Sequence, residues 1–153
     1  MNPKRPTHPL LRSAAVVACR NEADLLSQHL PLWIAEGLDV VVIDHSSTDA
    51  SRGVAEPWLG RGVLAVHNLE WRGQFSLEQQ LEAKEAAIEG LDHDWVVHLD
   101  TDEWLHSPVE RETLQQALSR LAAGGANAVN FEEFVLLPLH RGQPAEHLSL
   151  IHI

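Results

Sequence analysis

Along the chain, short apolar runs alternate with stretches in which apolar residues recur at helical spacing. Residues 13–19 (SAAVVAC), 39–44 (DVVVID) and 62–68 (GVLAVHN) are apolar runs bounded by polar residues or glycine, the form of buried strands. A fourth run opens at Trp95, continues through Val96, Val97, His98 and Leu99, and stops at Asp100, Asp102 and Glu103. A fifth spans 128–137 (AVNFEEFVLL), interrupted by Glu132 and Glu133. Between the first two runs, Leu25, Leu26, His29, Leu30 and Trp33 form a helical stripe, with Asn21 as its cap and Glu22 and Asp24 suited to its N-terminal turn. Pro31 should kink or restart that helix, and Gly37 should end it. Further helices are expected over 49–59, over 76–89 with Ser76 as cap and Gly90 as stop, and over 108–123 ahead of Gly124 and Gly125.

Strict alternation of strand and helix predicts an α/β fold: a Rossmann-like, mostly parallel sheet with right-handed crossovers and helices on both faces. If the winding reverses after the third strand, the first and fourth strands become neighbours. Arg20, Asn21, Asp44 and the acids at 100–103 would then ring one crevice at the carboxyl ends of the strands, the usual seat of a nucleotide. Residues 13–138 read as one domain, 1–12 as a loose proline-bearing arm and 139–153 as a tail or the start of a further region.

Composition narrows the partners. The 153 residues are 44% hydrophobic with a formal net charge of -11, which argues against a nucleic-acid backbone or an anionic membrane surface as the main partner. An anionic substrate would need a metal bridge or a few local cations. The single Cys19 cannot form an intramolecular disulfide and fits a reducing compartment. No apolar run reaches the ~20 residues of a membrane span, and the first residues lack the apolar core of a signal peptide, so a cytoplasmic location is expected. A homo-oligomer is compatible with this picture.

The chemistry concentrates at the end of the fourth run. In an extended segment Asp100 and Asp102 would share a face about 7 Å apart at their Cα atoms. At roughly 6 Å and an effective dielectric of about 20, their repulsion is on the order of 3 kcal/mol, and Glu103 adds to it. A hard divalent cation, Mg²⁺ or Mn²⁺, would offset that cost and leave positions for phosphate oxygens. An acidic turn facing water is the plainer alternative. Lys84 falls within the apolar spacing of Leu77, Leu81 and Ile88, which suits either a solvated lysine at the margin of the stripe or a phosphate contact. Asp44 could meet a ligand's N–H or hydroxyl or cap its own loop, and the loop role is slightly favoured. Residues 71–75 read as a mobile loop carrying a cation.

Four segments carry a resemblance: Cys19-Arg20-Asn21-Glu22, Val42-Ile43-Asp44-His45-Ser46-Ser47-Thr48-Asp49, Ala83-Lys84-Glu85-Ala86-Ala87-Ile88, and Leu99-Asp100-Thr101-Asp102-Glu103-Trp104-Leu105. In this order and spacing, over residues 14–138, they resemble the successive signatures of family 2-like glycosyltransferases with a GT-A fold. The resemblance implies a nucleotide-diphosphate sugar donor, with Arg20, Asn21, Glu22, Asp44 and Asp49 around the nucleotide, Lys84 near the donor, and Asp100 and Asp102 holding Mn²⁺ or Mg²⁺ on the diphosphate. It further implies a sugar, lipid or protein acceptor and an inverting transfer with a carboxylate base, for which Glu133 and Glu132 are the downstream candidates. Members of that family usually continue well past this length, so a donor-binding half lacking much of the acceptor region, or a compact variant completed by a partner, is expected. His140, His147 and His152 have no metal-ligand spacing and read as tail residues. Two other readings stay open: a non-catalytic nucleotide-binding or assembly domain, and a phosphohydrolase with Asp100 as nucleophile.

Overall fold

The computed structural model describes residues 10–132, 134–138 and 148–152, the last two stretches as backbone. Its main sheet is four-stranded and all-parallel: β1 (Ser13–Cys19), β2 (Leu38–Asp44), β3 (Val63–Asn68) and β4 (Trp95–Leu99) stand in the order β3-β2-β1-β4. The winding does reverse after the third strand, as the alternation allowed. Between the strands run α1 (Ala23–Ala35), α2 (Ser51–Ala55) and α3 (Leu77–Glu89), and α4 (Leu114–Ala123) follows β4.

Every residue of β1 is buried, because β1 has a strand on each side and a helical layer on each face. Alternate residues serve the two faces. Ala15, Val17 and Cys19 pack with Leu26, Leu30 and Trp33 of α1 and with Leu114 and Leu118 of α4, while Val16 and Ala18 pack toward Ala83, Ala87 and Ile88 of α3. Leu26, Leu30 and Trp33 recur at i, i+4 and i+7 and are fully buried; such side chains stabilise by about 1.5–3 kcal/mol each for the aliphatic members. At the end of α1, Gly37 has a φ of +86°, and a Cβ there would come within 2.7 Å of Gln115, so both backbone and space demand glycine.

Several expectations are corrected. The arm is anchored from Leu11 onward, where the Leu11 N–H donates to Ser119 Oγ and the Arg12 N–H to Asp94. Asn21 does not cap α1; it precedes the helix in a left-handed conformation (φ +56°). α1 continues through Pro31 to Ala35. The helix expected over 49–59 is cut to one short turn, with a 3-10 turn Glu56–Trp58 where Pro57 cannot extend the α-helical ladder. α4 begins at Leu114 instead of 108, because Arg111 is left-handed (φ +63°) and Thr113 with Gln116 forms a reciprocal capping box. β4 is an edge strand among the described residues, with Val97 and Leu99 buried and Val96 and His98 exposed, instead of a strand buried on both faces. The fifth strand is not part of this sheet. Residues 128–132 have no regular structure, and β5 (Phe134–Pro138) pairs antiparallel with β6 (Leu148–His152), a hairpin partner that the parallel pattern did not foresee. Glu132 therefore lies outside any strand, and Glu133, His140, His147 and the side chain of His152 lie outside the described residues. Among the described residues no helix is long and apolar enough to cross a membrane.

Candidate functional site

Register brings the loops together. Val17 pairs with Leu99 and Cys19 with Asp44, so the chain leaves β1, β2 and β4 at one end of the sheet. There a cleft of about 300 Å³ is lined by Ala18, Cys19, Arg20, Glu22, Leu25, His45, Phe75, Gln80, Asp100, Thr101 and Asp102. Of the residues singled out from the sequence, Arg20, Glu22, Asp100 and Asp102 line it, whereas Asn21, Asp44, Asp49 and Lys84 do not.

The extended arrangement of Asp100 and Asp102 does not occur. β4 ends at Leu99 and Asp100–Glu103 form a turn: the Glu103 N–H donates to the Asp100 carbonyl at 3.1 Å, and Glu103 Oε2 accepts the Asp100 N–H at 2.9 Å. Glu103 is thus spent on the turn. α1 holds this turn from the other side. Thr101 is buried, its hydroxyl donating to Glu22 Oε2 at 2.6 Å and its carbonyl 2.6 Å from His29 Nδ1, and the Trp33 indole N–H donates to the Glu103 carbonyl at 2.9 Å. Asp100 and Asp102 are left exposed beside the cleft.

Lys84 is not a solvated lysine at the margin of its helix. It is 2% exposed, the one buried residue of α3, with Nζ donating to the Leu99 carbonyl at 3.1 Å and lying 3.6 Å from Asp100 Oδ1. Burial pulls its pKa below the usual lysine value, opposed by the charge of Asp100. The alternating pattern hid this, because a four-carbon stem can fill an apolar slot while its ammonium reaches the sheet end.

The remaining candidates tie the neighbouring loops together. Arg20 Nη1 donates to the carbonyls of His45 and Ser46 at 2.5 and 2.6 Å, and its guanidinium lies 3.8 Å from the Trp71 ring centroid. Asn21 Oδ1 accepts the Thr48 N–H at 2.7 Å. Asp44 is buried and accepts the Ser47 N–H, the loop role. Asp49 accepts from Ser51 through Oδ1 and from the Ala23 N–H through Oδ2, and the Ser51 hydroxyl holds its pKa below the ordinary value. The start of α1 is therefore capped from the β2–α2 loop by Asp49, and Ser51 accepts the Glu22 N–H.

Cys19 lines the cleft as an inert thiol. Burial first, then the charges of Asp44, Glu22 and Asp49, pushes its pKa up to about 12. His45, Thr101, Leu25, Phe75 and Gln80 were not foreseen at the cleft; His45 and Thr101 lay inside the quoted motifs, whereas no local signal marks Leu25, Phe75 or Gln80.

Among the described residues no three His, Cys, Asp or Glu side chains form a group that could hold a metal ion. Asp100 and Asp102 supply two hard carboxylates, the donor type that Mg²⁺ and Mn²⁺ prefer. Glu132 lines neither this cleft nor the second one, near α4. Comparison with models of known protein families and with curated proteins finds no match.

Proposed function

We propose that the chain binds the diphosphate of a nucleotide-diphosphate sugar at the Asp100–Asp102 turn and serves as a glycosyltransferase or its donor-binding half. The observation that carries this reading is the cleft at the switch point, where exposed Asp100 and Asp102 meet the Arg20 and His45 loops. The cleft's lining carries the carboxylates Glu22, Asp100 and Asp102 against the single cation Arg20. A diphosphate entering alone would be repelled, so Asp100 and Asp102 would hold Mn²⁺ or Mg²⁺, which supplies neutralisation of the diphosphate charge.

The rest is the work of the chain's own residues. Lys84 and the Glu103-capped turn fix Asp100, and Thr101, tied to Glu22 and His29, fixes the segment between the acids. In the transfer an acceptor hydroxyl oxygen bonds to the anomeric carbon, the bond from that carbon to the diphosphate oxygen breaks with its electron pair, and the hydroxyl proton passes to a carboxylate base. A second reading is nucleotide binding without turnover: among the described residues the lining of this cleft includes neither downstream base candidate.

Calorimetric titration with UDP and GDP, each with Mn²⁺ and then with excess chelator, tests the proposal. Metal-dependent heat that disappears in Asp102→Ala, with the far-UV spectrum unchanged, is the expected result. Metal-dependent affinity unaltered by Asp102→Ala would refute it. Sugar transfer to added acceptor separates the two readings.

A further inference from the structure

A second cleft, of about 460 Å³, runs along residues 104–113. Trp104, His106, Ser107, Val109, Glu110 and Arg111 line it, with Glu36, just past the end of α1, at its wall. Trp104 is 55% exposed and Val109 49%, and the Trp104 and His106 rings lie tilted at 5.4 Å.

This exposure is built in by the surrounding hydrogen bonds. The Glu103 carbonyl is fixed by the Trp33 indole, and the far end of the stretch is fixed where Glu36 Oε2 accepts the Leu114 N–H at 2.7 Å. Between them Ser107 Oγ accepts the Val109 N–H and donates to Glu112, which Arg120 grips through both guanidinium contacts. The backbone that presents Trp104 is therefore anchored at both ends, and the indole is left on the water side.

An indole face bordered by hydrogen-bonding groups suits a pyranose. The apolar C–H face of the sugar rests on the ring, and its hydroxyls find the exposed Glu110 carboxylate and Arg111 guanidinium at the edge. Charge narrows the class further: with Glu112 paired to Arg120 and Glu110 to Arg111, Glu36 leaves the lining net negative, which disfavours an anionic sugar. Position ties the two clefts together. Two residues span at most about 7 Å, so Trp104 begins within one or two sugar units of Asp102, which lines the first cleft.

We propose that the Trp104 cleft is a carbohydrate subsite that takes the neutral glycan acceptor; its acceptor role rests on the donor reading above, while its sugar binding does not. The test uses the full chain with ¹⁵N-labelled indoles, the Trp104 resonance being assigned by its loss in Trp104→Phe. Maltotriose, cellotriose and chitotriose are the neutral probes, and trigalacturonate is the anionic one. At least one neutral trisaccharide should shift the Trp104 indole resonance. Trp104→Ala should weaken that binding about tenfold or more, Trp104→Phe should lose less, and the metal-dependent UDP heat of Trp104→Ala should equal that of wild type. No shift of Trp104 with any neutral probe, affinity retained in Trp104→Ala, or tighter binding of trigalacturonate would overturn the proposal. Sugar binding at Trp104 in a chain that shows no metal-dependent nucleotide heat would uphold the subsite and overturn its role as acceptor site.

Discussion

Replacing Lys84 by methionine, which keeps the stem and removes the charge, separates structure from function at the cleft. At 3.6 Å and an effective dielectric of about 20, the attraction between Lys84 and Asp100 is about 4.6 kcal/mol. The Asp100 side chain is 63% exposed, so solvent screening reduces this toward the ~1 kcal/mol of an exposed pair. The charged hydrogen bond to the Leu99 carbonyl contributes about 1.5–3 kcal/mol. Against both stands the cost of taking an ammonium out of water, several kcal/mol even after relaxation. The lowered pKa, with burial as its largest cause, says that the desolvation cost is the greater. Lys84→Met is therefore expected to be neutral to stabilising at about pH 7, by up to roughly 2 kcal/mol. The pH dependence has a definite sign. Between its folded pKa and 10.5 Lys84 is protonated in the unfolded chain and neutral in the folded one, so wild-type stability rises with pH through that window. The advantage of the variant is full below the folded pKa and shrinks as pH approaches 10.5. Urea melts followed by tryptophan fluorescence across the alkaline range read this directly. In the same variant, metal-dependent UDP binding should fall about fivefold, the equivalent of about 1 kcal/mol, as Asp100 loses the cation that fixes it. A variant destabilised at neutral pH, with a difference from wild type that does not change with pH, would refute the reasoning.

Two further perturbations probe the scaffold that carries the second cleft. Thr113→Ala removes the side-chain half of the α4 capping box and should cost about 1 kcal/mol, read as a lower urea midpoint with unchanged slope. Arg120→Met removes the largest cause of the lowered pKa of Glu112; that pair's stabilisation is present above the unfolded value of 4.5 and lost as pH falls through the folded pKa. Acid titration by circular dichroism should therefore show wild type ahead of Arg120→Met at neutral pH and the two converging at low pH.

Much of the architecture was legible because it rests on local periodicity. The apolar runs located β1 to β4, Ser76 and Gly90 bounded α3, and Gly37 ended α1, each through a preference of one or a few residues for one backbone state. Asp100 and Asp102 were legible as the end of an apolar run. The fifth strand was misjudged because a run of apolar residues does not say which strand it will pair with, and β5 found its partner in β6. The role of Lys84 was undecided for a related reason: helical spacing shows that a position faces inward, and only packing shows what lies there.

The sequence by itself determined the α/β alternation, the reversal as one allowed winding, and the acids, cations and aromatics available to a site. Tertiary structure alone decided how those groups are spent. Asn21, Asp44 and Asp49 satisfy backbone N–H groups of loops and of the start of α1 across 3 to 27 residues of chain, Glu22 and Glu103 brace the acidic turn, and Asp100, Asp102 and Trp104 remain presented to solvent. The physical reason is that a polar group's role depends on whether another buried group needs its hydrogen bond, and those needs are created by contacts between segments distant in the chain.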